Sequence, residues 1–213
     1  MSINKQQKLT GLKLAKHRIK NGLILYSIRN LLTRIGLDIY PYYWMQEGLY
    51  KIDKPPIKGE FNDYSIEYLS LEDVERISDI LADSSGAELV KRFKNGEKCI
   101  GLKHAGNVAA FMCIEFKDFR LLDRLFELKG NEAYLLNMFT FEEFRGKNLA
   151  PYLRYRSYEV LKEEGKDTFY STTAYFNNSA IKFKKKLKAK RLKLYLSIKL
   201  FKKFNWNFLI KNY

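Results

Sequence analysis

The sequence predicts an α/β (α+β) domain: a central mixed, mostly antiparallel sheet flanked by helices, with a helical extension at its N terminus. Three observations predict it. From residue 64 onward, runs with a two-residue apolar period alternate with runs of 3.6-residue period, the pattern of strands interleaved with helices. Ala105-Gly106 separates two apolar runs, as a hairpin turn does. Leu192, Leu194, Leu196, Ile198 and Leu200 alternate strictly with more polar residues, as on a half-buried strand.

Each element follows in order. Over residues 8–36, Leu12, Ala15, Ile19, Ile24, Ile28, Leu31 and Ile35 recur at three- and four-residue steps among Lys and Arg, which predicts amphipathic helix interrupted at Asn21-Gly22. Tyr40-Pro41-Tyr42-Tyr43-Trp44 is an aromatic cluster that cannot be helix interior. Lys54-Pro55-Pro56 reads as an extended linker, so the domain boundary is expected near residue 59, with 1–58 as extension and 59–213 as the domain. A short strand over 64–69 leads to Ser70 and Asp73, spaced to cap a helix to about Ala82. A second helix ends at Asn95-Gly96. Residues 98–104 and 107–116 form the hairpin. Residues 118–129 read as helical by charge spacing. Residues 133–141 are an apolar strand, 149–164 a helix stopped by Gly165, 168–175 a strand and 178–187 a helix. The last stretch, 201–213, is strand or amphipathic helix.

Composition excludes several classes. Two cysteines cannot build a disulfide framework, and Cys99 and Cys113 read as small core residues, with reduced thiols. No apolar run approaches the ~18–20 residues of a membrane span, and no signal peptide is apparent. The expected compartment is the cytoplasm. No His, Cys, Asp and Glu set has metal spacing, so no metal is expected. The net charge of +15 is unevenly placed: 11 basic and 3 acidic residues over 1–58, 15 and 20 over 59–165, 13 and 1 over 166–213. Basic ends around an acidic centre suit an anionic partner, such as phosphates or a lipid headgroup plane.

The segment that carries chemistry runs from Phe141 to Pro151. Gly146 and Asn148 tolerate positive φ, so the turn can present consecutive backbone N–H groups to an anion at a helix N terminus. Pro151 suits the first helical turn. Arg145 and Lys147 add positive charge. The segment lacks both the Lys-Ser/Thr phosphate loop and the dinucleotide glycine fingerprint.

This segment resembles the acetyl-CoA signature of the GNAT N-acetyltransferase superfamily, Arg/Gln-x-x-Gly-x-Gly/Ala. Arg145 stands on the Arg/Gln, Asn148 on the first Gly and Ala150 on the last position. Downstream the family carries Asn-x-x-Ala-x-x-x-Tyr-x-Lys. Asn177, Ala180 and Lys186 match, while Lys184 stands where the Tyr would be, and Lys188-Ala189 replace the Gly-Phe that often follows. The element order from 64 to about 200 is also similar, and residues 1–58 have no counterpart in the common core.

The resemblance implies a GNAT-like fold and acetyl-CoA as co-substrate. The pantetheine arm would lie along Met138, Phe139 and Thr140. The pyrophosphate would sit on the loop Arg145, Gly146, Lys147, Asn148, Leu149 and Ala150, and Asn177 would touch the arm. A backbone N–H near Met138 would serve the oxyanion. An amine would attack the thioester directly, which needs a base and a thiolate-protonating acid. Glu115, the lone acid ending an apolar strand, is the candidate base. Tyr175 is the candidate for the missing phenol; Lys184 could also donate a proton, but as one of the run Lys182, Lys184, Lys185 and Lys186 it reads as part of a solvated helix face. Asn137, polar within an apolar strand, needs a partner that could be substrate.

The expected function is N-acetylation of a small-molecule amine such as an amino sugar. Tyr42, Tyr43 and Trp44 behind a basic amphipathic helix suggest peripheral contact with an anionic membrane at its inner face. Packing of those helices on the core or in a homodimer is the alternative. A protein or peptide N-acetyltransferase, or a non-catalytic module binding nucleic acid or an acidic partner, are the competing functions; no nucleic-acid motif is present.

Overall fold

The computed structural model describes residues 23–49, 52–59 and 63–213. The helix expected over 8–22 lies outside them. Its continuation, α1 (Leu23–Arg34), is helical and leads into strand β1 (Leu37–Glu47). Then follow β2 (Tyr64–Tyr68), α2 (Leu71–Leu81), α3 (Ser84–Lys94), β3 (Lys98–His104), β4 (Asn107–Glu115), β5 (Phe119–Leu121), β6 (Arg124–Phe126), β7 (Glu132–Thr140), α4 (Leu149–Glu163), β8 (Thr168–Ala174), α5 (Asn178–Lys186), β9 (Lys190–Leu200) and β10 (Phe204–Asn212).

Eight strands make one sheet in the order β10-β9-β1-β8-β7-β4-β3-β2. Only β7 and β8 pair in parallel; the other neighbours are antiparallel. Parallel neighbours need a crossover, and α4 supplies it. Helices cover both faces. Ile100, Leu102, Met112, Ile114 and Leu135 pack with Leu149, Leu153 and Leu161 of α4 on one face. Val74 and Ile77 of α2 and Leu89 of α3 pack with Phe111 on the other. Ser70 and Asp73 close a reciprocal capping box at α2, with Asp73 N donating to Ser70 Oγ at 3.1 Å. The Ala105-Gly106 turn has positive φ at both residues, 47° and 79°, which matches the twist of a tight hairpin.

Four expectations are corrected. The boundary at residue 59 fails because β1 lies inside the sheet, between β8 and β9. Pro41 is tolerated there because its carbonyl, and so the side that lacks an N–H, faces β8 where β8 ends: β8 pairing begins at Tyr42 with Ala174, and Pro41 O accepts from Tyr175 N at 2.9 Å. Tyr42, Tyr43 and Trp44 are therefore buried strand residues, not a headgroup anchor; Trp44 stacks on Phe126 at 4.3 Å and Tyr134 at 5.7 Å. Residues 118–129 hold the two-stranded hairpin β5–β6, turned through Leu122 and Asp123 at positive φ. The charges there mimic a helix, but Phe119, Leu121 and Phe126 join the aromatic cluster of Trp44 and Tyr134 instead. Cys99 and Cys113 stand directly opposite each other on β3 and β4, Cα atoms 4.1 Å apart, and form a disulfide.

Residues 201–213 resolve as strand: a turn at Phe201 and Lys202, both at positive φ, returns the chain as β10 along β9. α1 is tied to β1 by a bidentate pair from Arg29 to Asp38, at 2.5 and 2.7 Å.

Candidate active site

The site forms where β7 leaves β8. Their parallel pairing extends only from Glu132 with Thr168 to Tyr134 with Tyr170. Beyond it β7 bulges against β4, the register shifting between Phe111 and Cys113, and Asn137 takes φ of 51°. Asn tolerates this left-handed geometry better than most residues. The bulge re-aims Asn137 outward, so it is exposed and not buried as its apolar setting suggested.

Two cavities reach the parting from opposite faces and share Leu135, Leu136, Asn137 and Thr172. One, about 400 Å³, lies on the α2–α3 face and is lined by Arg92, Glu97, Glu115, Phe119, Arg120 and Tyr134. The other, about 420 Å³, lies on the α4–α5 face and includes Met138, Ala150, Arg154, Asn177, Ala180 and Lys184. A third, about 310 Å³, surrounds Arg145, Gly146, Asn148, Leu149 and Ala150 with Thr140, Lys58 and Lys186.

The loop takes the geometry its residues permit. Gly146 and Asn148 have φ of 83° and 65°. Asn148 occupies the N-cap of α4 without capping it. Its side chain is engaged elsewhere: Nδ2 donates to Pro56 O at 2.7 Å, and Oδ1 accepts from Lys186 Nζ at 3.4 Å. Arg145 Nε donates to Thr140 O at 3.1 Å, which holds the loop against β7. An uncapped helix N terminus with Lys58, Arg145, Lys147 and Lys186 about it attracts anions. Asn177 caps α5, accepting from Ala180 N at 3.0 Å, and lines the second cavity.

Between the cavities and the core lies a buried charge cluster that the sequence did not reveal. Glu47 of β1 is fully buried. Arg154 Nε stands 3.1 Å from its Oε2, Tyr158 Oη donates to Oε2 at 2.5 Å, and Ser171 Oγ donates to Oε1. Lys184 Nζ donates to Ser171 Oγ at 2.6 Å and Thr172 O at 3.0 Å, and lies 3.4 Å from Glu47 Oε1. Burial would raise the Glu47 carboxyl, but Arg154 and Lys184 together hold it below the usual range. Burial pushes the Lys184 amine down to about 8; Glu47 opposes that and Arg154 adds to it. Lys184 is thus no solvated helix face. It is 3% exposed, while the neighbouring Lys185 and Lys186 point outward. Four lysines in five residues gave no clue to which one turns in.

Glu97 is the other residue missed. It follows Asn95-Gly96 at the mouth of β3, with its side chain only 4% exposed. Burial pushes its carboxyl up to about 7, Arg92 pulling down and Glu115 and Glu88 pushing up. Its Oε1 has no hydrogen-bond partner among the described residues. Glu115 faces the same cavity, its Oε1 accepting from Phe116 N and Lys117 N at 2.9 and 3.0 Å. Tyr175 lies past the end of β8, 44% exposed, and stacks on Tyr43 at 5.4 Å; it lines neither cavity at the parting.

Comparison with known proteins agrees with this geometry. Residues 48–188 match the sequence profile of the acetyltransferase (GNAT) family. No curated protein sequence matches the chain. Among solved structures, a GCN5-related N-acetyltransferase from Kribbella flavida is similar at TM-score 0.51 and 10% identity, over 80% of this chain and 62% of that one. An acetyltransferase from the GNAT family from Colwellia psychrerythraea is similar at TM-score 0.50 and 16% identity, over 82% and 60%. A functionally unknown conserved protein from Staphylococcus epidermidis reaches TM-score 0.54 at 9% identity, over 92% and 69%. At such identities the likeness concerns the fold, and the chain spans about three-fifths of the length of the first two. The matched residues hold the bulged strand, the loop and the helices after it, and the chain belongs to the acetyltransferase (GNAT) family.

Proposed function

We propose that the protein transfers an acetyl group from acetyl-CoA to the amine of a small molecule. One observation carries this reading: the parting of β7 from β8 opens on both faces of the sheet, so two substrates can meet at Leu136 and Asn137 from opposite sides.

The residues present fit acetyl-CoA. Past Tyr134, the β7 edge facing β8 has no strand partner among the described residues, so Met138, Phe139 and Thr140 can pair with the amides of a pantetheine arm. The uncapped helix start from Lys147 to Ala150, with Arg145 beside it, would hold a diphosphate. Asn177 stands where it would touch the arm. When bound, acetyl-CoA supplies the acetyl group as an activated thioester.

The chain's own groups then divide the proton work. Glu97, with its carboxyl near neutrality, takes the proton from the acceptor's ammonium. Glu115 lies across the same cavity and raises the Glu97 proton affinity by its charge. The Met138 backbone N–H would donate to the carbonyl oxygen as negative charge gathers there. Lys184 gives a proton to the departing sulfur; its amine is the acidified member of a cluster in which Arg154 already balances Glu47. In this reading Lys184, not Tyr175, fills the place of the phenol.

A peripheral contact with an anionic membrane at the inner face is part of the proposal. Leu25, Ile28 and Leu31 of α1, Ile35 just after it, and Phe204, Trp206 and Phe208 of β10 are exposed. Residues 188–213 carry eight cations and no acid, which favours anionic lipid over a second copy of equal charge. Among the described residues no helix is long and apolar enough to cross a membrane.

The test of acetyl transfer is amine-dependent release of free thiol from acetyl-CoA. Release that rises with amine concentration supports the reading. Neither release nor a thermal shift on adding acetyl-CoA would overturn it.

A further inference from the structure

The cavity on the α2–α3 face contains two orphaned groups of opposite kind. Glu97 Oε1 is a buried acceptor and Arg92 Nε a buried donor, and neither has a hydrogen-bond partner among the described residues, Glu88 Oε1 coming no nearer to Arg92 Nε than 3.9 Å. The two side chains approach each other only as Arg92 Nη1 to Glu97 Oε2, at 3.7 Å, outside hydrogen-bond reach. Leaving either group unpaired is costly, so two in one cavity call for a ligand that brings a donor to one and an acceptor to the other.

Charge leads to the same ligand. The cavity wall carries two guanidiniums, Arg92 and Arg120, and two carboxyls, Glu97 and Glu115. An amine with no other charge would answer only the carboxyls. An amino sugar adds hydroxyls but no anion, so Arg92, whose ion pairs with Glu88 and Glu97 are long at 3.9 and 3.7 Å, and Arg120 would still lack a hydrogen-bonded carboxylate. Arg120 stands on β5, and its Nη1 hydrogen bond to Asp123 O is long, at 3.4 Å, so little holds its fork away from a ligand. Planar guanidinium forks suit carboxylates. A cavity of about 400 Å³ suits a molecule of amino-acid size.

We infer that the acceptor is a zwitterionic small molecule, whose ammonium meets Glu97 and whose carboxylate meets Arg92 and Arg120. This rests on the acetyl-transfer reading for the chemistry, but the recognition of a charge pair stands on the cavity itself. It also explains why the base lies beside an arginine: the ligand's carboxylate draws Arg92 toward itself, which leaves Glu97 to the ammonium.

The test compares each common α-amino acid with its primary amide, alongside D-glucosamine and phosphoethanolamine. Melting temperature in the presence of CoA reads binding, and thiol release from acetyl-CoA reads transfer. One or more amino acids should raise the melting temperature and show KM at least tenfold below that of the amide. Arg120→Gln, an exposed substitution outside the core, should raise KM for the acid to the level of its amide. Arg92→Gln should do the same. Phosphoethanolamine binding as well as the amino acids, an amide or D-glucosamine serving equally well, or no member shifting the melting temperature would each overturn the inference. Transfer to D-glucosamine without carboxylate preference would leave acetyl transfer standing while removing the zwitterion. A carboxylate-selective shift with no transfer would do the reverse.

Discussion

Glu97 and Lys184 are where residue-scale physics departs most from what the sequence offers. A lone Glu between Lys94 and Lys98, and one Lys among Lys182, Lys184, Lys185 and Lys186, read as surface charge. Burial decides their chemistry, and burial depends on neighbours distant in the chain. Glu97→Gln should lower turnover about 10²–10⁴-fold with acetyl-CoA binding retained, as loss of a general base does. Wild-type turnover should climb as pH rises through about 7, and the variant should lose that limb. Stability gives an independent sign. A carboxyl raised in the folded state favours folding below its unfolded pKa, and that contribution is lost as pH rises through about 7. Glu97→Gln should therefore melt no lower than wild type at pH 8, and a markedly lower melting temperature would contradict its unpaired burial. The charge cluster gives an asymmetric pair of variants. Lys184→Met leaves Glu47 and Arg154 matched and should fold, with turnover lost. Glu47→Gln strands two buried cations and should cost about 3–5 kcal/mol, read by denaturant unfolding.

At the element scale, the sequence was most legible where local rules act alone. The α2 capping box, the β3–β4 turn, the alternation of β9 and the left-handed residues of the loop are all set by nearest neighbours. The turn geometry of the loop is therefore legible from Gly146 and Asn148 alone. Long-range pairing hid the rest. Pro41 argues against a central strand, and nothing local says that its carbonyl faces β8 just where that strand ends. The β5–β6 hairpin was masked by charges at helical spacing, because what holds it is the stack of Phe119 and Phe126 on Trp44, a residue from β1. Cys99 and Cys113 looked like core residues until the hairpin register placed them opposite one another. For the loop the expectation is direct. Arg145→Ala combined with Ala150→Asp puts a carboxylate at the uncapped start of α4, so the thermal shift from acetyl-CoA should vanish; a normal shift would mean the diphosphate lies elsewhere.

On the scale of the whole molecule, the basic C-terminal stretch seen in the sequence acquires a position. β10 is the sheet's outer strand, and the turn before it packs Phe201 against Gly36, where a Cβ would meet the ring at 2.4 Å. The end of α1 and the β9–β10 turn thus share one end of the sheet, with Ile35 and Phe201 both exposed. Such a surface should sediment with vesicles containing anionic lipid and release as salt rises, since each cation contributes about 1 kcal/mol and is screened. Trp206→Ser with Phe208→Ser should weaken sedimentation and spare acetyl-CoA binding. Equal binding to neutral vesicles would remove the electrostatic part of this account.

In the proposed reaction the cleft between β7 and β8 joins an acetyl donor on one face to an amine on the other. Mass spectrometry of the amine after incubation with protein and acetyl-CoA tests it most directly. Wild type should give acetylated amine and free CoA thiol in equal amounts, and Glu97→Gln neither above background. Thiol appearing without acetylated amine, or acetylated amine formed as fast by Glu97→Gln, would contradict it.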